Sequence, residues 1–477
     1  MRRTRVVVVL AGAVAAWCAA ALAVMAGPAA GAVARADSWG KAIEVPGLAR
    51  LSAGHGGTLV AVSCSSRGDC AAGGNYDNRS GHGQAYVVSE KNGSWRTAIE
   101  VPRLATLNTG GNAQVTSLSC ASAGNCAAGG FYSGSRGTRA FVVSEKNGSW
   151  GKAIQVPGAA ALSGASGGSQ VAALSCGSAG NCAAGGSYSS DGDQQAFVVS
   201  EKNGSWGTAI EVPGSAALNI GMSAGVGSVS CGSAGNCAVA GTYRANAPEA
   251  FFVSEKNGSW GTAIEVPGSA AFGVATVASV SCASAGNCAA AGFSGSITND
   301  APSGPLVASE KNGTWGNVTA VAGTTATARN SAGSVSCGSV NYCAAGGSYA
   351  PSIEGPYQAF VVREKNGSWG NAIEVPGLAA LNVGGNADVE SVSCGQARYC
   401  AAGGTYRDGS GHQQAFVVSD INGAWGTAIE VPGSAALNTG GSAQVTSVSC
   451  ASARYCAAGG YYLTSSGDDE AFVVSRT

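Results

Sequence analysis

Eight evenly spaced tryptophans, eight evenly spaced Cys-x5-Cys pairs and a four-strand pattern between them predict an all-β fold, an eight-bladed β-propeller of four-stranded antiparallel blades. The tryptophans are Trp39, Trp95, Trp150, Trp206, Trp260, Trp315, Trp369 and Trp425. The pairs are Cys64/Cys70, Cys120/Cys126, Cys176/Cys182, Cys231/Cys237, Cys282/Cys288, Cys337/Cys343, Cys394/Cys400 and Cys450/Cys456. A repeat of about 55 residues is one supersecondary unit copied along the chain. No segment shows a 3.6-residue apolar stripe, which excludes helical solenoids. A parallel β-helix would need shorter rungs.

The second copy shows each element in order. Val115–Cys120 alternates and reads as strand a. Ala121–Asn125 is a turn, and Cys126–Tyr132 is strand b, built of small residues. A polar loop, Ser133–Thr138, precedes strand c at Ala140–Glu145. Asn147-Gly148 favours positive φ at both turn centres and marks a tight hairpin. Trp150–Pro157 is strand d, ended by proline. A loop rich in Ala, Leu, Ser and Gly leads to the next copy. Small residues suit the crowded centre, so the order a to d should run from axis to rim. Glutamates on strand d (Glu44, Glu100, Glu211, Glu265, Glu374, Glu430) should face solvent and keep rim strands apart.

The ends suggest how the ring closes. Ser38–Pro46 is a strand d with no blade before it, and Ala471–Ser475 is a strand c with no strand d after it. The first segment is therefore expected to complete the last blade. Residues 1–36 read as a signal peptide and 37–477 as the propeller. Met1–Arg5 is basic, Val6 to about Met25 is apolar, and Ala34-Arg35-Ala36 fits a small-residue cleavage site. An uncleaved anchor is the alternative. Thr4-Arg5-Val6 continues a twin-arginine motif poorly, and Trp17 before Cys18 is too large for lipoprotein processing. Without Cys18, sixteen of the 17 cysteines remain, evenly paired, which in an exported chain means disulfides. Each closes a short loop and contributes about 2–3 kcal/mol on loop entropy. Zinc would want four ligands per site, and there are three histidines in all.

With 11% charged and 45% apolar residues, the chain is not disordered despite its 75 glycines. Removing the leader takes away four arginines and no acid, so the formal net charge goes from -1 to -5. That balance argues against nucleic acid and against an anionic membrane surface. No cofactor fingerprint occurs, and no stretch beyond the leader could span a membrane.

The c–d hairpin Ser144-Glu-Lys-Asn-Gly-Ser-Trp150, with copies at Ser89–Trp95, Ser200–Trp206 and Ser254–Trp260, resembles the Asp-box of sialidase-type (BNR) propellers. It is one residue shorter and does not keep the Asp. The resemblance implies fold only. Sialidase activity in that family needs an arginine cluster, a tyrosine nucleophile and acidic partners, and no such set can be placed here. With its Ser-Cys-x5-Cys-Ala-x-Gly units the chain also looks like secreted actinobacterial β-propeller repeat proteins. That likeness implies export and a propeller, with no settled activity.

The hairpins also spell Asn-Gly-Ser/Thr at Asn92, Asn147, Asn203, Asn257, Asn312 and Asn366, which the turn already explains. The regular tryptophans are expected to wedge between blades. Tyr76, Tyr132, Tyr188, Tyr243, Tyr349, Tyr406 and Tyr462, with Phe293 in blade five, open the b–c loops. They are candidate ligand-stacking residues, with bridging between blades as the other reading. The variable loops share one face: 77–84, 189–195, 294–305, 350–358, 407–414 and 463–470. The disulfides and Asn-Gly turns share the other. Asp191-Gly-Asp193 hints at calcium without a full loop motif. The functional expectation is a secreted, monomeric, non-catalytic binding or scaffold module for an extracellular glycan or protein. The alternative is a carbohydrate-active hydrolase or lyase using loop carboxylates (Asp77, Asp191, Asp193, Asp408, Asp468, Asp469, Glu470) around the central channel.

Overall fold

The computed structural model describes residues 38–476, apart from 165–166, 296–303, 325–330 and 353–354. The leader and the centre of the blade-five b–c loop lie outside the described residues. Eight antiparallel sheets follow one another, each in the strand order a-b-c-d. In blade two the strands are Ala113–Ser122, Asn125–Gly134 and Gly137–Lys146. In blade eight the missing outer strand is Ile43–Glu44, paired with Val473 and Phe472, and Trp39 bridges to Arg476. The first segment therefore completes the last blade.

The rim differs from the expected continuous strand d. In blade two it is two dipeptides, Ser149–Trp150 and Ile154–Gln155, each paired to strand c. Between them Ala153 turns its N–H to the carbonyl of Pro102 in the preceding blade, at 2.9 Å. The same bond recurs from Ala98 to Pro46, Ala209 to Pro157, Ala263 to Pro213, Val318 to Pro267, Ala372 to Ala322, Ala428 to Pro376 and Ala42 to Pro432. Backbone groups that leave one ladder are thus satisfied by the next blade, and the eight bonds form a closed outer belt. An inner belt joins the strands a. The N–H of each first cysteine donates to the serine one residue before the cysteine of the preceding blade, as from Cys120 to Ser63 (2.9 Å) and from Cys64 to Ser449 (2.8 Å). The remaining six bonds, from Cys176, Cys231, Cys282, Cys337, Cys394 and Cys450, complete the circle. The Ser-Cys dipeptide is therefore an interblade bond as well as half a disulfide.

All eight expected disulfides form, between residues directly opposed on strands a and b: Cys64–Cys70, Cys120–Cys126, Cys176–Cys182, Cys231–Cys237, Cys282–Cys288, Cys337–Cys343, Cys394–Cys400 and Cys450–Cys456. Their placement on the turn face holds, and the structure adds how deeply they sit there. The strand-b partners Cys70, Cys126, Cys182, Cys237, Cys288, Cys343, Cys400 and Cys456 are all buried, because strand b runs between strands a and c and packs against the next blade. Most strand-a partners are half-buried. The bridges are thus staples within the sheets, and their cysteines also line the clefts of the turn face, as Cys126, Cys176 and Cys182 do between blades two and three. Such a set belongs in an oxidising compartment.

The apolar core lies between blades. One cluster joins Ala71, Ala85 and Val87 of blade one to Val115, Phe141 and Val143 of blade two, and the other blade pairs repeat it. Strand b is made of small residues because its neighbours crowd it: a Cβ on Gly130 would lie 1.9 Å from the Gln114 carbonyl. On the turn face Gly148 donates its N–H to the Gly124 carbonyl at 2.8 Å, binding the c–d turn to the a–b turn. Asn147 (φ 51) and Gly148 (φ 79) take the left-handed conformations that the dipeptide favours. One element had no visible sequence signal. The d–a loops carry single helical turns such as Leu104–Leu107, Ala159–Ser163 and Ser215–Leu218. One turn is too short to show a period.

Candidate functional site

The seams between blades account for most of the repeated motif. Trp150 sits opposite Glu145 in the c–d ladder, and its indole N–H donates to Ser89 Oγ of the preceding blade at 3.1 Å. Ser89 in turn donates to Glu145 Oε1 at 2.8 Å. The same Trp-Ser-Glu arrangement appears with Trp206, Ser144 and Glu201, and with Trp260, Ser200 and Glu255. The tryptophans are wedges, as expected. The acid of Ser-Glu-Lys, which drew no attention in the sequence, is buried in every seam where it occurs. Two seams are altered: Arg476 takes the glutamate position in blade eight, and the seam between blades six and seven differs on both sides. Arg363 replaces the serine and pairs at 3.0 Å with Asp420, which replaces the glutamate and is fully buried. The Arg363 guanidinium also lies over Trp425, 5.9 Å from the ring centre.

Burial raises the carboxyls of Glu90, Glu145, Glu201, Glu255, Glu310 and Glu364 above the usual carboxylate range, against the lowering pull of neighbouring hydroxyls and, at Glu310, first of Lys256. Asp388 and Glu470 are pushed up to about 7, by burial first and neighbouring carboxylates second. An acid whose folded pKa is raised holds its proton more tightly folded than unfolded. Its stabilisation is full below the unfolded value and is lost as pH rises through the folded one. The thermal midpoint is therefore expected to fall as pH is raised from about 5 to about 8, with Asp388→Asn plus Glu470→Gln flattening the slope near neutrality. A midpoint that climbs over this interval would contradict the assignment.

The tyrosines lie beneath the loop face. Tyr76, Tyr132, Tyr188, Tyr243, Tyr406 and Tyr462 are buried, and Tyr349 is half-buried against Phe360. Six of the hydroxyls reach an acid or an amide, four of these partners being rim glutamates that the sequence placed in solvent. Tyr76 donates to Glu100, Tyr406 to Glu430 and Tyr462 to Glu44, each at 2.9 Å. Tyr188 donates to Glu211, Tyr132 to Gln155 and Tyr243 to Glu249. Four of the rim glutamates are thus tyrosine partners, which corrects their reading as a merely solvated face. Blade five is a further correction. Ser294, not Phe293, takes the tyrosine position, and Phe293 alternates to the other side of the strand, 39% exposed.

The loop face carries the differences between blades. Blade three turns at Asp191-Gly192, whereas blades one and seven use five residues, 78–82 and 408–412. Asn78 Oδ1 accepts from the N–H groups of Ser80 and His82, and Asp408 Oδ1 from those of Ser410 and His412. Among the described residues no three His, Cys, Asp or Glu side chains gather as a metal site. Beneath these loops Asn108 donates to the Gly83 carbonyl and to Gln84 Oε1 of the preceding blade, at 2.9 and 3.0 Å. Asn219, Asn382 and Asn438 repeat the clamp. These repeated couplings join residues about 25 positions apart, so no local motif announces them.

Asp388 and Glu390 stand out at the loop-face end of a strand a. They stand on innermost strand a of blade seven, where blade two has Gln114 and Thr116 and blade three has Gln170 and Ala172. Asp388 Oδ2 accepts from Ser348 of blade six at 3.1 Å, and Glu390 is exposed. Sequence reading missed the pair, although comparing this position across the copies would have found it. Cavities open on the opposite, turn face. They lie between blades one and two (about 470 Å³), two and three (about 300 Å³) and four and five (about 300 Å³).

No protein-family model and no curated protein matches the sequence. Solved structures similar to this chain include Sqt1 of Chaetomium thermophilum bound to the N-terminus of ribosomal protein L10, at 12% identity, 88% and 97% coverage of the two chains and a TM-score of 0.46. The β-propeller domain of the Trilobed protease from Pyrococcus furiosus is 8% identical, with 79% and 95% coverage and a TM-score of 0.43. The Hadza microbial sialidase Hz136 is 13% identical, with 71% and 72% coverage and a TM-score of 0.36. At these values none carries a functional argument.

Proposed function

We propose that this chain is exported, loses residues 1–36, and acts as a monomeric, non-catalytic binding or scaffold module for an extracellular glycan or protein through its loop face. One observation carries the reading: the belts, seams and turn-to-turn bonds repeat around the ring, while the b–c loops differ from blade to blade on a shared rigid base. Variation on a rigid frame suits recognition. In this reading the seven tyrosines serve the ligand face from below. Six of them hold the loop bases in place through buried rings and bonded hydroxyls, and Tyr349 is the member with ring surface still open. The eight disulfides support a life outside the cell.

Blade three supplies the test. Replacing 78–82 and 408–412 by its two-residue Asp-Gly turn should leave the unfolding midpoint within about 2 °C, since compact hairpin turns already occur at this position. The same change should abolish retention on extracellular polysaccharide or surface-protein fractions. Retention that survives both replacements removes the loop face from consideration. A second reading, glycoside cleavage, is favoured by Asp388 and Glu390, whose shared strand face and raised carboxyl suit an acid–base pair. Reducing ends released by the parent protein and not by Asp388→Asn would select it over binding alone.

A further inference from the structure

The turn-face clefts share a chemistry independent of the loop-face reading. Glu201 Oε1 accepts from Ser144, while its Oε2 has no hydrogen-bond partner among the described residues, although the side chain is only 4% exposed. Glu310, 3% exposed, likewise leaves Oε1 without one. Both line cavities: Glu201 beside Glu145 and Lys146, and Glu310 beside Glu255 and Lys256. A buried acceptor left unpaired is costly, and the cleft is the side from which a donor can arrive. The exposed lysine at each mouth offers N–H donors in return. A free cation would meet that ammonium, and a free anion would meet two carboxyls. A neutral molecule bearing several hydroxyls can donate to the acids and accept from the lysine without burying a net charge.

We propose that the interblade clefts of the turn face are binding subsites for neutral saccharides, each taking sugar hydroxyls between the glutamates of adjacent blades and the lysine at the mouth. Recurrence in more than one cleft makes the sites multivalent, so weak single subsites would hold a polysaccharide tightly.

Calorimetric titration of the oxidised protein with neutral gluco-, galacto-, manno- and N-acetylglucosamine oligosaccharides, with acetate and putrescine as charged probes, tests this. One neutral series should bind at more than one site per chain. Glu201→Gln with Glu310→Gln should weaken binding about tenfold in those clefts, as expected for a lost hydrogen bond to a charged group. The loop replacements described above should leave it unchanged. Lys146→Met, an exposed change, tests the same cleft if the double variant does not fold. Silence from every sugar, stronger binding of acetate or putrescine, or saccharide binding lost with the loops alone would each overturn the proposal. The last result would instead place the sugar on the loop face.

Discussion

A chain lacking Ser38–Pro46 is expected to lose the folded ring as a whole. The segment supplies the last blade's outer strand and three buried side chains, Trp39, Ala42 and Val45. It also supplies the N–H of Ala42 to Pro432, that of Gly40 to Ser475 and the Pro46 carbonyl to Ala98. Its removal opens the outer belt at two successive joints and bares an edge strand. Lost burial and unsatisfied backbone together cost roughly 5–10 kcal/mol, on the scale of a domain's entire stability. Circular dichroism and gel filtration should show an unfolded or aggregated product. A soluble monomer with an unshifted unfolding midpoint would show that closure by this segment is not what holds the ring.

Arg363→Ala is expected to be the most damaging single change at a seam. It leaves Asp420 buried without its ion-pair partner, a situation that costs about 3–5 kcal/mol. It also strips the guanidinium from Trp425. The repeat itself supplies the rescue. Arg363→Ser with Asp420→Glu rebuilds the serine–glutamate pair used at most other seams, as between Ser309 and Glu364 at 2.7 Å. Chemical denaturation of the single and double variants should show most of the loss recovered in the double. If the double variant is as unstable as Arg363→Ala, the seams are not interchangeable and the physical account of this position is wrong.

Much of the architecture was legible in the sequence. The disulfide pairs are close in sequence and evenly repeated, the Asn-Gly hairpins declare their turn type, and strand c carries unbroken β-formers. The depth of those disulfides was not legible, since it depends on what the neighbouring blade lays over strand b. The seams were only half legible. The tryptophan periodicity pointed to wedges, but the serine and glutamate completing each wedge lie about 55 residues apart and look like ordinary surface residues. Rim glutamates misled for a similar reason: alternation on an edge strand suggests solvent, and only the folded ring brings the tyrosine hydroxyls to them. Phe293 was misplaced because an aromatic residue was matched by type. The ladder register shows it one position early, where a slip of one reverses the face.

Repeat length, residue size and turn chemistry are properties of the linear chain, so blade number, strand order and disulfide pairing could be read from it without coordinates. Which serine meets which glutamate, which strand edge is closed, and which acids remain buried with an oxygen unspent depend on curling the array into a circle. Closure makes neighbours of Pro432 and Ala42, and of Ser449 and Cys64, groups that no local pattern relates. Ring geometry alone thus decided where the unspent hydrogen-bonding capacity, and with it the candidate binding surface, would lie.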